Sequence, residues 1–203
     1  MKKPGRLASL IALLSVLAAA GGAWGDAGMF RVDPDRTSAG FAVHYLGIAR
    51  AQGRFGRTSG TVMLDTQQKV DSIDLVIDTR SVDMGWDLRD AFVRSEAMFD
   101  SQRFPLLRFR STHASYDGAR LVGIEGEVTL RGVTRPVRLE VERVECAPRS
   151  EDGLEVCTAA VSGHLSRRAF GMDFAYPLIG DDVELELALT AIRVRAAGGT
   201  GTP

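Results

Sequence analysis

Apolar and polar residues alternate along several stretches of this chain. In the segment 121–131, apolar side chains occupy the even positions while Glu125 and Glu127 occupy odd ones, and the segments 71–78 and 182–189 show a similar alternation. Successive side chains of an extended chain point to opposite faces, so a period of two is typical of a β-strand with one buried and one solvent-facing side. The repetition of this pattern predicts a sheet that surrounds an apolar interior.

Eight strands are predicted from the alternation and from the turn-forming residues between the segments. They span residues 37–47, 53–65, 71–80, 106–116, 121–131, 136–146, 154–165 and 182–194. Asp117-Gly118 favours a tight hairpin between the fourth and fifth strands, so strands adjacent in sequence are expected to be adjacent in space. Such strands can close into a barrel whose interior is filled with side chains or holds one small ligand. The predicted fold class is therefore an all-β, eight-stranded antiparallel barrel.

One segment departs from the alternation. Between Asp87 and Phe99 the apolar residues follow steps of three and four, which is the spacing of a short amphipathic helix. Asp87 is expected to cap this helix, and Phe104-Pro105 returns the chain to an extended conformation. The sequence thus predicts one short helix beside the barrel strands.

The first residues have the pattern of an export signal. Lys2, Lys3 and Arg6 precede the apolar segment 7–20, and small residues follow it. We expect cleavage near residue 25, release into the oxidising periplasm, one domain over residues 26–195 and a flexible tail over residues 196–203. The chain has 25 basic and 26 acidic residues, and three of the basic ones lie in the signal. The mature chain is therefore mildly acidic, which argues against a nucleic-acid partner.

Cys146 and Cys157 are the only cysteines of the chain. The turn-forming segment 150–153 lies between them, so a hairpin about this turn places them opposite each other. Their parity relative to Glu140 and Glu142 predicts a cross-strand disulfide on the outer face of the barrel. A redox-active or metal-binding pair is the alternative, although the C-x-x-C spacing and nearby histidines are absent.

Residues suited to catalysis are few. His44, His113 and His164 have no mutual spacing typical of a metal site, and the chain has no G-x-S-x-G nucleophile motif. His164 is expected to lie opposite Leu139 and to face the interior. The sequence therefore predicts a protein without enzymatic activity, metal or cofactor. The alternatives are an enzyme that isomerises or cyclises an enclosed lipid, with His44 or His164 as proton donor, and a small outer-membrane β-barrel.

Several motifs together resemble the YceI-like family. They include F-A-V-H-Y-L-G at 41–47, S-V-D-M-G at 81–85, R-S-E-A-M-F-D at 94–100, G-E-V-T-L-R-G-V-T-R-P-V at 126–137 and R-R-A-F-G-M at 167–172. The resemblance implies an exported, extended lipocalin-like barrel, often dimeric, that binds a long-chain isoprenoid or similar amphiphilic lipid and has no catalytic residues. Transient contact with a membrane or with lipid-handling proteins is a further expectation. The chain departs from the family's pattern at Phe92, where histidine is usual, and at Ala169, where an acidic residue is usual.

Strand parity and this resemblance identify the residues that are expected to line the interior and contact a ligand. They are Phe41, Val43, Tyr45, Ile73, Leu75, Ile77, Val122, Ile124, Val128, Leu130, Leu139, Val141, His164, Val183, Leu185 and Leu187 from the strands, with Phe92, Met98, Phe99, Phe170 and Met172 from the helix and the F-G-M segment. Arg89 and Arg167 are expected to pair with acidic neighbours such as Asp90. A register shift of one residue would move the whole set of a strand to the other face.

Overall fold

The computed structural model describes residues 28–65, 67 and 69–195. Within these residues the chain forms eleven β-strands and one α-helix, α1 (Asp87–Arg94). The strands are β1 (Gly28–Val32), β2 (Ser38–Tyr45), β3 (Ala49–Phe55), β4 (Thr58–Leu64), β5 (Val70–Asp78), β6 (Val82–Asp83), β7 (Leu106–Asp117), β8 (Arg120–Leu130), β9 (Val133–Pro148), β10 (Glu155–Ser166) and β11 (Ile179–Arg193). The predicted signal segment and tail lie outside the described residues.

The strands form one antiparallel sheet that closes on itself, because β1 pairs with both β4 and β11. Three long strands are interrupted by a few residues each. β1 and β2 both pair with β11 and run in the same direction. β4 pairs with β1, and β3 pairs with β2. β5 pairs with β4, and β6, which continues the direction of β5, pairs with β3. With β1 and β2, β3 and β4, and β5 and β6 each counted as one strand, the molecule is an eight-stranded barrel in which sequence neighbours are spatial neighbours. The predicted fold class is confirmed.

Each predicted strand has a counterpart, with differences at the boundaries. The predicted strand 53–65 is divided at Gly56, whose N–H donates to the Ser81 carbonyl at 3.0 Å. β1 and the two-residue β6 were not predicted. The predicted hairpin is confirmed, since Asp117 pairs with Arg120 and Gly118 adopts a φ of 61°.

The helix is shorter than predicted. Trp86 is the N-cap and makes no side-chain capping hydrogen bond, while Asp87 is the first helical residue. The helix ends at Arg94 because Ser95 is extended, and residues 96–99 form turns. The predicted cap and the predicted extension to residue 99 are therefore wrong. No helix in the described part of the chain is both long enough and apolar enough to cross a bilayer.

Inward-facing side chains fill one end of the barrel completely. Val32 of β1 is 2% exposed, and Ile73 of β5 and Ile124 of β8 are each 5% exposed. These three residues belong to one continuous hydrophobic core. At the opposite end, where β2, β3, β6 and α1 lie, the interior is not filled, and this is where a ligand can enter.

A β-bulge changes the register of the β9–β10 hairpin. Ala160 pairs with Arg143, whereas the next residue, Val161, pairs with Val141. Glu142 is therefore the extra residue of the longer strand, left without a partner opposite. Residues of β9 beyond Glu142 consequently face the opposite side of the sheet from the side that strict alternation predicts.

The predicted disulfide between Cys146 and Cys157 is confirmed, but its predicted position on the outer face is wrong. The two residues pair directly across β9 and β10 and are bonded. Cys157 has the same parity as Ala159, which packs against the core, so the bulge has placed the bond on the side of the sheet that faces the interior, at the barrel end where Cys146 is exposed. Glu155 offers a carboxylate oxygen within 4.8 Å of both sulfur atoms, but sulfurs in a disulfide provide no thiolate ligand for a metal.

Replacing both cysteines with serine is expected to lower the free energy of unfolding by about 2–3 kcal/mol, because the bond closes a loop with a sequence separation of 11 residues. Urea unfolding of the variant and of the oxidised wild type measures the difference. The reduced wild type is the control and should match the variant. Equal stability of the oxidised wild type and the variant would contradict a stabilising role for the bond.

The Asp78 carboxylate holds the bend between β5 and β6, which delivers α1 to the open end of the barrel. It accepts hydrogen bonds from the Arg80 backbone N–H at 3.0 Å and from Arg80 Nε at 2.8 Å, and Arg57 Nη1 lies 3.4 Å away. The side-chain hydrogen bond from Arg80 is the main cause that lowers the pKa of Asp78 below its ordinary value, although burial opposes it.

We expect Asp78→Asn to lower the free energy of unfolding by about 1–2 kcal/mol at neutral pH. A carboxyl group whose pKa is lower in the folded state stabilises the fold above its unfolded pKa, near 3.9, and loses this contribution as the pH falls through the folded pKa. The wild type and the variant should therefore converge in stability as the solution is acidified below pH ~4. Asp74→Asn on the outer face of the same strand is the control, and a pH-independent difference for Asp78→Asn would contradict the interpretation.

Candidate functional site

A cavity of about 360 Å³ occupies the open end of the barrel, between β2, β3, β11 and α1. Its wall is almost entirely apolar, and its mouth lies beside Tyr45 and Arg89, which are both exposed. The lining residues are Phe41, Val43, Tyr45, Ala51, Phe55, Met84, Arg89, Phe92, Val93, Met98, Phe99, Leu107, Leu130, Leu165, Arg167, Met172, Ile179, Val183 and Leu185. This cavity is the candidate functional site because it can enclose an apolar molecule.

A smaller cavity of about 60 Å³ lies deeper in the barrel. It shares part of its wall with the larger cavity, namely Phe41, Phe55, Leu107, Leu165 and Leu185, and is otherwise lined by Ala39, Gly40, Leu75, Ile77, Phe109, Val128, Val137, Leu139 and Leu187. We call the two spaces the main cavity and the inner cavity. The shared residues border both spaces.

Three phenylalanine rings pack together where the two cavities adjoin. The ring centroids of Phe41 and Phe55 are 5.3 Å apart, and the Phe99 centroid lies 6.0 Å from Phe41 and 5.5 Å from Phe55. Gly53 makes room for this cluster, because a Cβ atom there would come within 2.6 Å of the Phe41 ring. These three side chains, the aromatic triad, come from β2, β3 and the loop after α1.

Arg167 is a deeply buried polar residue in the wall of the main cavity, at 2% exposure. Its Nε donates to the Gly180 carbonyl at 2.7 Å and its Nη2 to the Ile179 carbonyl at 2.7 Å, while Nη1 donates to the Met172 carbonyl. Burial lowers the pKa of Arg167, and the charge of Asp181 partly offsets this effect. The expected ion pair with an acidic side chain is wrong, because the guanidinium instead fixes the backbone of the loop before β11.

Arg89 has a different role at the mouth. Its guanidinium lies 5.8 Å from the centre of the Trp86 ring and forms no ion pair with the residues that the structure describes. The Asp90 carboxylate accepts a hydrogen bond from the Met84 N–H at 2.7 Å, so the expected Arg89–Asp90 pair is also wrong. Arg89 is therefore a cation at the entrance of an apolar cavity, where it can contact a polar or anionic headgroup.

Exposed apolar side chains surround the mouth on three segments, which we call the apolar rim. The segments are tied together, because the Leu46 N–H donates to the Leu178 carbonyl at 2.7 Å and the rings of Phe92 and Phe174 are 5.0 Å apart. The rim consists of Tyr45, Leu46, Ile48, Trp86, Leu88, Phe174, Tyr176 and Leu178. Exposed apolar patches of this kind mark sites of contact with lipids or with other proteins.

The predicted lining residues divide into three groups. The main cavity is lined by Phe41, Val43, Tyr45, Phe92, Met98, Phe99, Leu130, Met172, Val183 and Leu185, and the inner cavity by Leu75, Ile77, Val128, Leu139 and Leu187 in addition. Ile73, Ile124, Val141 and Phe170 are buried in the filled core and touch neither cavity. The structure thus brings together most of the predicted set at one end of the barrel.

His164 does not face the interior. Because of the bulge in β9, Gly163 rather than His164 lies opposite Leu139. The His164 side chain is 65% exposed, and its Nδ1 lies 2.9 Å from Asp182 Oδ2 on the outer face. The prediction for His164 is wrong for this physical reason.

Val122 is displaced by a second irregularity. Ser115 pairs with Gly123, whereas the next residue, Tyr116, pairs with Leu121, so Val122 has no partner across the ladder. Leu121 instead packs against the core. The inward position predicted for Val122 is therefore wrong.

Several lining residues were not predicted. Phe55 and Ala51 alternate with Gln52 and Arg54 in β3, but the small residues Ala51 and Gly53 conceal the apolar face. Leu165 was missed because the bulge in β9 altered the expected pairing of β10. The other residues missed in the main cavity wall are Met84, Arg89, Val93, Leu107, Arg167 and Ile179.

The model of one protein family, the YceI-like domain, matches residues 30–191. Among curated proteins, a UPF0312 protein of Vibrio campbellii is 29% identical over 160 residues, which cover 77% of this chain and 82% of that protein. Protein YceI of Escherichia coli O6:H1 is 34% identical over 105 residues, covering 51% of this chain and 54% of that protein.

Solved structures are similar in fold. Burkholderia cenocepacia BcnA has a TM-score of 0.67 and 20% identity, covering 78% of this chain and 98% of that chain. A polyisoprenoid binding domain from Saccharophagus degradans has a TM-score of 0.60 and 16% identity, covering 81% of this chain and 98% of that chain. These likenesses agree with the closed barrel described above.

Proposed function

Because this chain belongs to the YceI-like family, whose model matches residues 30–191, we propose that it is a carrier that encloses a long-chain amphiphile in its barrel. The ligand class is a polyisoprenoid or a related isoprenoid quinone or fatty-acyl lipid. The proposal depends above all on the apolar main cavity of about 360 Å³. The relative from Saccharophagus degradans that is described as a polyisoprenoid binding domain supports the ligand class.

The hydrophobic effect provides the affinity in this proposal. Each methylene group transferred from water gains about 0.8 kcal/mol, which lowers the Kd about fourfold. The wall of the main cavity offers few directional polar contacts, so the protein should accept chains that differ in chemical detail. A polar headgroup remains at the mouth, where Arg89 can contact it.

The two histidines proposed as proton donors do not support the enzymatic alternative. His44 Nδ1 lies 3.6 Å from Glu184 Oε1 and its side chain is 50% exposed, while His164 pairs with Asp182 on the outer face. Neither residue lines a cavity. The outer face also carries ion pairs between strands, such as Arg50 on β3 with Glu184 on β11, which disfavour a lipid-facing wall.

The proposal includes export to the periplasm. The pattern of residues 1–25 predicts a cleaved signal, and the Cys146–Cys157 disulfide is compatible with an oxidising compartment. N-terminal sequencing of the protein recovered from a periplasmic extract tests this part. A protein that keeps residues 1–25 or stays in the cytoplasmic fraction would contradict it.

Native mass spectrometry of the mature protein, expressed with its own signal segment, tests the binding proposal. We expect an added mass that is lost on organic extraction and that corresponds to an isoprenoid or acyl lipid in the extract. The extracted protein should then bind an added prenyl alcohol in a competition assay with a fluorescent apolar probe. A protein that carries no lipid and takes up no prenyl alcohol after extraction would refute the proposed function.

Loading at a membrane is expected to use the apolar rim. Ile48 is 89% exposed at the tip between β2 and β3, and its replacement by aspartate should reduce association with phospholipid vesicles about fivefold, because a side chain that inserts in the interface is lost. Vesicle co-sedimentation measures the association. Met29→Asp, at an exposed apolar residue on the outer face of β1 outside the rim, is the matched control. Equal effects of the two substitutions would contradict a specific role of the rim.

A further inference from the structure

One edge of the sheet is open where β9 extends past its neighbour. The pairing of β8 with β9 ends at Gly123 and Glu140, whereas β10 stays paired with β9 as far as Pro148. Among the residues that the structure describes, the segment 141–148, which we call the β9 edge, therefore has a partner strand on one side only. In an antiparallel ladder the backbone groups of successive residues point to opposite neighbours, so some N–H and C=O groups of this segment point away from β10.

The β9 edge lies at the end of the barrel that is farthest from the mouth. On β10, Leu165 lines the main cavity, whereas Cys157, which pairs with Cys146 of the β9 edge, lies near the other end of that strand. Residues 142–148 are all exposed. An exposed edge strand is a template on which another strand can pair, and a strand added here would leave the mouth of the cavity accessible.

The charges along this edge alternate in sign. Val144 pairs with Ala159, which packs against the core, so Arg143 and Glu145 on either side of Val144 point to the outer face. Arg143 Nε lies 3.7 Å from Glu145 Oε1, and the two side chains are 70% and 67% exposed. Charges of one sign, such as the lysines found on many edge strands, repel a second copy. The β9 edge carries both signs and can therefore attract a second copy in a suitable register.

Two-fold symmetry restricts the registers in which the β9 edge can pair with its own copy. Residues paired across antiparallel strands have their side chains on the same face, and two symmetric copies present the same face to the same side, so one residue must lie opposite itself. If that residue is Arg143 or Glu145, two like charges are directly opposite each other, which is destabilising. If it is Val144, Arg143 of each copy is opposite Glu145 of the other copy, and two apolar side chains meet at the centre.

We propose that the β9 edge is a dimer interface, in which this segment pairs antiparallel with the same segment of a second copy of the chain and Val144 lies opposite itself. Arg143 and Glu145 of the two copies then form two ion pairs between strands on the outer face. A ladder formed by one short segment of each copy buries less area than the roughly 1,200 Å² of a stable interface, so the dimer should form and dissociate reversibly. The pairing depends neither on a ligand nor on the proposed function.

Sedimentation velocity of the wild type over a range of protein concentrations tests the proposal, and we expect an equilibrium between monomer and dimer. Arg143→Glu replaces both ion pairs by like-charge contacts, because each substitution occurs twice in a symmetric dimer. It should raise the Kd of the dimer at least about tenfold, and Glu145→Arg should have the same effect. An equimolar mixture of the two variants should restore the wild-type Kd, because the acidic edge of one variant then faces the basic edge of the other.

Arg138→Glu is the matched control. Arg138 is also an exposed residue of β9, and its substitution makes the same change of charge, but it pairs with Glu125 of β8 and lies where the edge is covered. This variant should leave the Kd of the dimer unchanged. Circular dichroism verifies that the three variants are folded.

A wild type that stays monomeric at every concentration would overturn the proposal. A dimer that neither Arg143→Glu nor Glu145→Arg weakens, or that the mixture of the two variants fails to restore, would show that the copies meet through a different surface and would overturn it as well. Weakening by each variant together with restoration by the mixture is the pattern expected when Arg143 and Glu145 of different copies lie opposite each other.

Discussion

Replacing Val183 with arginine is expected to weaken the binding of a neutral prenyl alcohol by about 100-fold or more. Val183 lines the main cavity and pairs with Val43 on β2, close to the mouth. A ligand chain in this position would bury the arginine cation without a partner, and this costs several kcal/mol. In the free protein the long side chain can reach water through the mouth, so we expect the variant to fold.

The same substitution at Ala188 provides the control. Ala188 lies on β11 as well, but it is exposed on the outer face. Ala188→Arg should therefore keep the affinity of the wild type. Probe displacement measures the Kd values, and circular dichroism verifies that both variants are folded. If Val183→Arg is folded and still binds as the wild type does, the ligand does not occupy the main cavity.

Arg167→Met is expected to lower the free energy of unfolding by about 3–5 kcal/mol. Methionine has a similar length but no donor groups, so the carbonyls of Met172, Ile179 and Gly180 lose their hydrogen bonds. Buried carbonyls without a donor are costly. Since these carbonyls lie at the two ends of the loop that carries Phe174 in the apolar rim, the variant should also bind vesicles less well.

Arg168 is the matched control for this prediction. It is the next residue in the chain, its side chain is 44% exposed, and it pairs with Asp173 at 3.0 Å on the surface. Exposed ion pairs contribute little, so Arg168→Met should leave the stability nearly unchanged. Denaturant unfolding of the two variants measures the contrast. Equal losses of stability would show that the buried hydrogen bonds of Arg167 are not what stabilises the loop.

Strand alternation was sufficient to predict the architecture. The period of two identified eight strands, the Asp117-Gly118 hairpin and the barrel class, because side-chain parity and turn chemistry are local properties of the chain. The same alternation predicted Phe41, Val43 and Leu185, which do line the main cavity. The irregularity of the β2–β11 ladder lies between Ile179 and Val183, and the pairing that these residues make is regular from Val43–Val183 onward.

The failures occur where the pairing of strands is irregular. The bulge at Glu142 turned His164 outward and brought the disulfide to the inner face, and the irregularity at Val122 placed Leu121 against the core instead. A bulge adds one residue to one strand only, so it depends on how two strands meet and leaves no clear mark in either sequence. The face of the sheet that parity predicts for a side chain is therefore correct up to a bulge, and beyond the bulge the side chain lies on the other face.

The local pattern along the chain predicts an antiparallel barrel with an apolar interior, and the motifs indicate the family. That one end of this interior is filled while the other is hollow became visible in the folded chain alone, because packing depends on how side chains from many strands meet. The folded chain also shows that Arg167 binds backbone carbonyls rather than a carboxylate, and that residues from three separate segments converge as the aromatic triad. Contacts between residues distant in sequence, and not the local pattern, determine the shape of the site.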